Sequence, residues 1–246
     1  MNRGRLAAYL KYQFQDFLML RAGLPTVLVA MFGYMLWKGA NRAIDWNTPN
    51  GAQFANQLFR NMASVFIMMG SFLGIARIVA DDRSNGYFRF LFSKPVSIER
   101  FYLQQWFLYG VGFVGVIGLL GYWLQAFTAP LPIPALMTVM GLTWILVGGV
   151  GFLISAVTNV DAVMLVVLYV TSTVLHSLKD MPGSPMWPWL RQVTRFALPT
   201  HKLDFIRDQL YAGAPMPWTH AYHVIGYGVI AVVLALVVLR RTSFAR

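Results

Sequence analysis

The 246-residue chain contains 57% hydrophobic residues and only 12% charged residues, whereas about 25% of the residues in a soluble domain are charged. This small number of charges cannot cover the surface of a soluble globule, so the composition indicates a membrane protein, and the length suits one domain. The net charge of +11 would suggest nucleic-acid binding in a soluble chain. Here the cations lie beside apolar segments, and anionic lipid headgroups explain them better. The absence of cysteine excludes disulfides and thiolate metal sites.

The N-terminal 20 residues are predicted to form an amphipathic helix. At helical spacing, one arc carries apolar side chains: Leu6, Leu10, Phe14, Phe17 and Leu18. The opposite arc carries polar ones: Arg5, Lys11, Gln13, Gln15 and Asp16. Such a helix lies in the plane of the lipid headgroups, and we assign residues 1–21 to it. The alternative is a cytosolic extension of the first span. No cleavable signal peptide is predicted, because no small-residue cleavage site follows the first apolar run.

Six apolar stretches follow, and each is predicted to cross the membrane, which takes roughly 20 residues. They cover about 22–37, 61–80, 106–127, 135–157, 162–178 and 221–239. The stretch 101–160 carries no formal charge and accommodates two spans and a turn. The predicted fold class is an all-α membrane protein with six transmembrane helices in a single domain, residues 1–246.

A long segment, residues 179–220, separates the fifth and sixth spans and is rich in proline and tryptophan. One amphipathic piece within it surrounds Trp189 and Phe196. The other has Leu203 and Ile206 opposite Asp204. Neither piece is apolar enough to span, so we predict an external, interfacial or re-entrant segment.

The cations define the orientation. Six spans put both termini on one side, with eleven cations flanking the spans there, or twelve with Arg77, against eight on the other side. Five of those eight lie in the long segment 179–220, and long loops count less in the positive-inside rule. Both termini are therefore predicted to be cytoplasmic.

The segment Asp81–Gln105 is a charged island between two apolar spans and holds seven of the charged residues. Tyr87–Phe92 is predicted to form a short, bulky helix that Pro95 ends. Ser97 suits the N-cap of the next span, which we expect to begin around Ile98, with Glu99 in its first turn. By composition alone, an ordinary cytoplasmic loop explains the island equally well.

The island also carries the pattern Asp82-x-x-x-Gly86-x-x-x-x-Leu91-x-x-x-Pro95-Val96-Ser97. This pattern resembles the loop of the second class of ABC exporter permeases, a family that moves polysaccharides, drugs and lipids. The six spans, the N-terminal interface helix and the long external segment agree with that family's plan over essentially the whole chain. The chain departs from the family in having Asp82 for the usual Glu, Tyr87 for Thr, and Gln104-Gln105 where Gly-Lys is frequent.

The resemblance implies a permease coupled to a separate ATPase through this loop. The implied coupling residues are Asp82, Gly86, Tyr87, Phe88, Phe90, Leu91, Phe92, Pro95 and Ser97. It also implies two ATPase subunits and a second, identical permease, in a bacterial inner membrane. The chain has no G-x-x-x-x-G-K-[ST] loop, so we predict that it is not an enzyme and that ATP and Mg²⁺ bind the partner.

Other polar residues are candidates for further functional sites. Arg77 and Asp161 are candidates for a cytoplasmic gate, Arg77 by pairing with Asp82 or Asp16. As alternatives, Arg77 snorkels to the interface and Asp161 caps the fifth span. Two rival functions remain open. One is a membrane-embedded enzyme that acts on lipids, with a water-facing site of His201, Asp204, Asp208 and His220. The other is a non-transporting anchor or assembly subunit.

Overall fold

The computed structural model describes residues 11–40, 45–69, 78–84, 97–158, 161–180, 194 and 197–244. Within these residues the chain forms helices and no strand, which confirms the all-α part of the predicted fold class. The helices are α1 (Gly23–Ala40), α2 (Pro49–Met69), α3 (Ala80–Ser84), α4 (Ile98–Gln125), α5 (Ile133–Thr143), α6 (Gly149–Val157), α7 (Asp161–Asp180), α8 (Thr200–Tyr211) and α9 (Trp218–Phe244).

Two π-helical segments join helices without a break. Phe17–Ala22 connects helical residues 11–16 to α1, and Trp144–Gly148 connects α5 to α6. As a result, residues 11–40 form one continuous helix, and Ile133–Val157 forms another.

In the part of the chain that the structure describes, three helical stretches are long and apolar enough to cross a membrane: Ile98–Gln125, Ile133–Val157 and Trp218–Arg241. The chain therefore has the character of a membrane protein. In α1 and α7 the apolar stretches are shorter, Thr26–Met35 and Ala162–His176. The predicted span 61–80 begins inside α2, but residues 70–77 lie outside the described part. Six spans and the orientation of the termini stay predictions.

The spanning helices pack closely because small residues lie where they meet. α9 packs along α6, and a Cβ on Gly149 would lie only 2.6 Å from the carbonyl oxygen of Gly228. Small residues at such a seam let two backbones approach closely, and the resulting van der Waals packing favours the association of helices in lipid. Large side chains of α4, including Tyr109 and Phe113, fill the core beside this seam.

Side-chain contacts identify two ends of the helix bundle. At the first, α3, the start of α4 and the end of α6 come together, since the Val79 amide donates to Ser155 Oγ over 3.2 Å. We call this the loop end. At the opposite end, Trp37 Nε1 donates to the Phe127 carbonyl oxygen over 3.3 Å. The connection of α4 to α5 and the α8 helix also belong to the opposite end, where Arg60 of α2 lies 3.8 Å from Asp208.

In the described part of the N-terminal helix, residues 11–22, the face that packs inward takes side chains from both predicted arcs. Gln13 and Phe17 are each only 1% exposed, whereas Phe14 and Leu18 are 47% and 44% exposed. The physical reason is that α4 offers polar partners to this helix, so a polar side chain can turn inward. Residues 1–10 lie outside the described part, and the placement of residues 1–21 at the membrane interface stays a prediction.

The amphipathic pattern of the second piece in the 179–220 segment is confirmed. In α8, Leu203 and Ile206 are buried and Asp204 is exposed, as the spacing predicts. The first piece, around Trp189 and Phe196, lies outside the described residues.

Candidate functional site

Of the predicted coupling residues, the structure describes the two at the ends of the loop, Asp82 and Ser97. Those between them lie outside the described residues: Gly86, Tyr87, Phe88, Phe90, Leu91, Phe92 and Pro95. Arg77 also lies outside them. Asp161 is the first residue of α7, at the end of the helix that it was predicted to cap. Its side chain lies outside the described part. The described part of the site therefore consists of the two segments that flank the loop, residues 78–84 and the start of α4 at Ser97.

The first flank, residues 78–84, is held against the end of α6. Besides the bond from the Val79 amide to Ser155 Oγ, Arg83 Nη2 donates to the carbonyl oxygen of Ala156 over 2.8 Å. The last carbonyl groups of a helix lack partners within the helix, and a guanidinium suits them both as a donor and as a charge. Ile78 and Val79 are buried. This flank is consequently fixed by both apolar packing and hydrogen bonds.

Asp82 connects the first flank to the second. Its Oδ2 accepts a hydrogen bond of 2.9 Å from the hydroxyl of Tyr102, which is fully buried in the second turn of α4. A hydrogen bond to a carboxylate is stronger than one between neutral groups. The bond closes the loop at its base, because it joins two residues that flank the undescribed residues 85–96.

The second flank is the start of α4, and the prediction that this helix begins around Ile98 is confirmed. Ser97 occupies the N-cap position with an extended backbone, φ −72° and ψ 127°, and Glu99 lies in the first turn. The Phe101 amide donates to the Ser97 carbonyl oxygen over 3.1 Å. Among the described residues the exposed Ser97 side chain makes no capping hydrogen bond.

The N-terminal helix adds a third element to the loop end. Gln104 Nε2 donates to Gln13 Oε1 over 2.9 Å. One turn further along, the Tyr109 hydroxyl donates to Asp16 Oδ2 and accepts from Gln105 Nε2 over 2.8 Å. The two glutamines that depart from the family pattern thus belong to polar contacts that fasten residues 11–16 to α4.

These contacts determine what the arrangement can do mechanically. The loop leaves the bundle from α3 and returns through Ser97, and both points are tied to spanning helices. A force applied to the loop would therefore be transmitted to α4 and α6, because the segments that flank the loop are bonded to these helices. The arrangement is suited to transmit motion between the loop and the bundle. Among the described residues, no group of three His, Asp or Glu side chains could hold a metal ion.

The residues of the rival lipid-enzyme site have other partners. Arg207 lies 2.7 Å from Asp204 Oδ1 and 3.0 Å from Asp208 Oδ1. Partial burial raises the pKa of the Asp204 carboxyl, and Arg207 opposes this rise. His201 stacks on His176 with ring centroids 4.2 Å apart, whereas His220 lies against Phe205 at 4.6 Å. The arrangement is that of an ion-paired surface, and the two histidines pack against different rings.

Sequence reasoning missed the residues that anchor the loop, chiefly Tyr102, Tyr109, Arg83 and Ser155. One signal was present: Tyr102 and Tyr109 are seven residues apart, which places both on one face of α4. Their acidic partners were not predictable, because Asp82 and Asp16 lie in other helices.

Replacing Tyr102 with phenylalanine is expected to lower the free energy of unfolding by about 1.5–3 kcal/mol, the usual contribution of a hydrogen bond to a charged group. The ring would still fill its buried site, so the loss reports on the hydroxyl that donates to Asp82. Unfolding of the purified protein by sodium dodecyl sulfate in mixed micelles measures it. Tyr122→Phe, at an exposed position of the same helix, is the control, and equal losses in the two variants would contradict the assignment.

No protein-family model matches this chain, and a search of curated proteins finds no match to it.

Proposed function

We propose that the chain is the transmembrane permease subunit of an ATP-driven ABC exporter of the second class. The observation that carries this proposal is the pattern from Asp82 to Ser97, in which an acidic residue, a glycine and Pro-Val-Ser are spaced as in that family's coupling loop. The anchored flanks support it, because such a loop must pass motion to the spans. Two copies of the chain and two ATPase subunits form the working unit in a bacterial inner membrane.

The mechanism proposed is alternating access. ATP binding closes the two ATPase subunits, and each grips the aromatic segment Tyr87–Phe92. The movement enters the bundle at two points, through Ser97 into α4 and through Asp82 and Arg83 into α4 and α6. The spans then rock so that a path between the two permeases opens to the outside, where residues 182–217 cover the exit.

The test is co-purification with an ABC ATPase, sought first among the genes that neighbour the one for this chain. Phe90→Asp and Phe92→Asp are expected to reduce the recovered ATPase at least about tenfold, because a carboxylate placed in an apolar cleft loses its hydration without gaining a partner. The permease itself should remain in the membrane, since the substitutions lie outside the spans.

The matched controls are Phe90→Leu and Phe92→Leu, which keep an apolar side chain and are expected to retain the ATPase. If the aspartate variants bind the ATPase as the leucine variants do, this segment is not the coupling element. The absence of any neighbouring ATPase with a phosphate-binding loop would count against the whole proposal.

A further inference from the structure

An open groove lies at the loop end between the first turn of α4 and the last turns of α9. Its volume is about 750 Å³. The residues that line it are Ser97, Glu99 and Arg100 of the α4 side, and Val233, Leu236, Val237 and Arg240 of α9. We call it the α4–α9 groove. It shares Ser97 with the second flank of the loop, but its other lining residues take no part in the hydrogen bonds described above for the loop.

The groove combines apolar and charged side chains. Val233, Leu236 and Val237 recur at helical spacing, so they form one face of α9, and Val233 and Val237 are exposed. The same face ends one turn later at Arg240, which lines the groove together with Arg100 of α4. Both arginines lie at the ends of segments that are apolar enough to span a membrane, which is the depth of phosphate headgroups.

We infer that the α4–α9 groove binds an anionic glycerophospholipid from the leaflet at the loop end. The phosphodiester would lie between Arg100 and Arg240, whose planar guanidinium groups match phosphate oxygens in pairs. An acyl chain would run along Val233 and Val237. Basic pockets between spanning helices are known to hold anionic headgroups. In this groove the apolar side chains of α9 would also hold an acyl chain.

The charges of the groove favour an anionic lipid over a zwitterionic one. Among the described lining residues, two arginines outnumber the one carboxylate, Glu99, so the lining favours a headgroup with a net negative charge. The Glu99 carboxylate and the exposed Ser97 residue can accept hydrogen bonds from headgroup hydroxyls. A choline headgroup has no hydroxyl to donate and would bring a further cation beside the arginines, where repulsion weakens binding.

The first experiment measures lipid binding to the purified full chain in a neutral maltoside detergent. Phosphatidylglycerol, phosphatidylcholine, phosphatidylethanolamine and glycerol 3-phosphate are each titrated, and the shift in Tm and the lipid retained in native mass spectrometry are recorded. Phosphatidylglycerol is expected to give the largest shift and to be retained. Glycerol 3-phosphate should give none, because it lacks the acyl chain that the apolar side chains of α9 would hold.

The second experiment uses matched variants. Arg100→Gln together with Arg240→Gln is expected to weaken phosphatidylglycerol binding at least about tenfold. The control, Lys11→Gln together with Lys38→Gln, removes the same charge from exposed positions outside the groove and should bind as the wild type does. Val237→Trp, which fills the apolar half with both arginines intact, should also lose the lipid, and its Tm without lipid shows whether it remains folded.

Several results would overturn the inference. Equal shifts with phosphatidylcholine or phosphatidylethanolamine would mean that the headgroup charge is not recognised. An equal shift with glycerol 3-phosphate would indicate a site for free phosphate. Binding that survives the double arginine substitution, or that is lost equally in the lysine control, would show that the lipid is held elsewhere or by net charge alone.

Discussion

Replacing Gly228 with leucine is expected to leave almost no folded protein, whereas the same replacement at Gly226 is expected to be tolerated. A Cβ on Gly228 would collide with the carbonyl oxygen of Ile145 and lie 2.8 Å from the Cγ2 of that residue. The obstacle is mainly backbone, so no rotamer change can relieve it. α9 would have to move away from α6 and from the π-helical segment Trp144–Gly148, along their whole contact.

The expected cost follows from this geometry. Overpacking a core with side chains that can still shift costs about 1–3 kcal/mol, and a collision between backbones costs more. Domains are stable by only about 5–15 kcal/mol, so separating two spanning helices removes much of that margin. Leucine is a better helix former than glycine and is more favourable in lipid, so membrane insertion itself should not suffer.

Gly226 provides the control within the same helix, because no described atom outside its own stretch of α9 lies within 4 Å of the Cβ it would carry. Both variants can be made as fluorescent fusions and compared by size-exclusion chromatography after extraction in detergent. We expect a single sharp peak for Gly226→Leu and an aggregated or absent peak for Gly228→Leu. Two similar peaks would contradict the close approach of α6 and α9.

Replacing Phe17 with alanine is expected to lower the free energy of unfolding by about 3–5 kcal/mol, the range for a large aromatic side chain removed from a core. Phe17 is buried against α4, with its ring centroid 5.5 Å from that of Tyr109 and 5.0 Å from that of Phe113. The ring also fills the space above Gly112, where a Cβ would lie 2.5 Å from it. Alanine would leave a cavity that the helices cannot close without moving.

The control for Phe17→Ala is Phe14→Ala, one turn earlier on the outer face of the same helix. Phe14 is exposed in the chain, so its removal should cost less than about 1 kcal/mol. Unfolding by sodium dodecyl sulfate in mixed micelles measures both variants under the same conditions. If Phe14→Ala proves the costlier change, residues 11–22 present the opposite face to α4, and their polar contacts with Gln104 and Tyr109 are misplaced.

The start of α4 shows what local sequence can determine. Pro95 cannot continue a helix, Ser97 suits an N-cap, and a long run without formal charge follows from Phe101, so the helix start at Ile98 was predictable. The amphipathic face of α8 was also predictable, because the spacing of apolar residues along one helix is a property of that stretch of sequence alone. The all-α class followed from composition and from the length of the apolar runs.

The candidate site was predictable only in part. The pattern from Asp82 to Ser97 identified the loop, but not what holds it. The bond from Tyr102 to Asp82 joins residues 20 apart in sequence, and that from Tyr109 to Asp16 joins residues 93 apart. Neither partner is constrained by its own neighbours in sequence.

By itself, the sequence determined that this chain is helical, apolar and suited to a membrane, and where α4 begins. The tertiary structure alone decided which arc of residues 11–22 faces inward, because periodicity separates two faces without saying what each one meets. It also decided that Gly149 and Gly228 face each other, while Gly226 faces open space. These orientations depend on how helices distant in sequence pack together, because the contacts that stabilise each side chain involve residues that only the fold brings close.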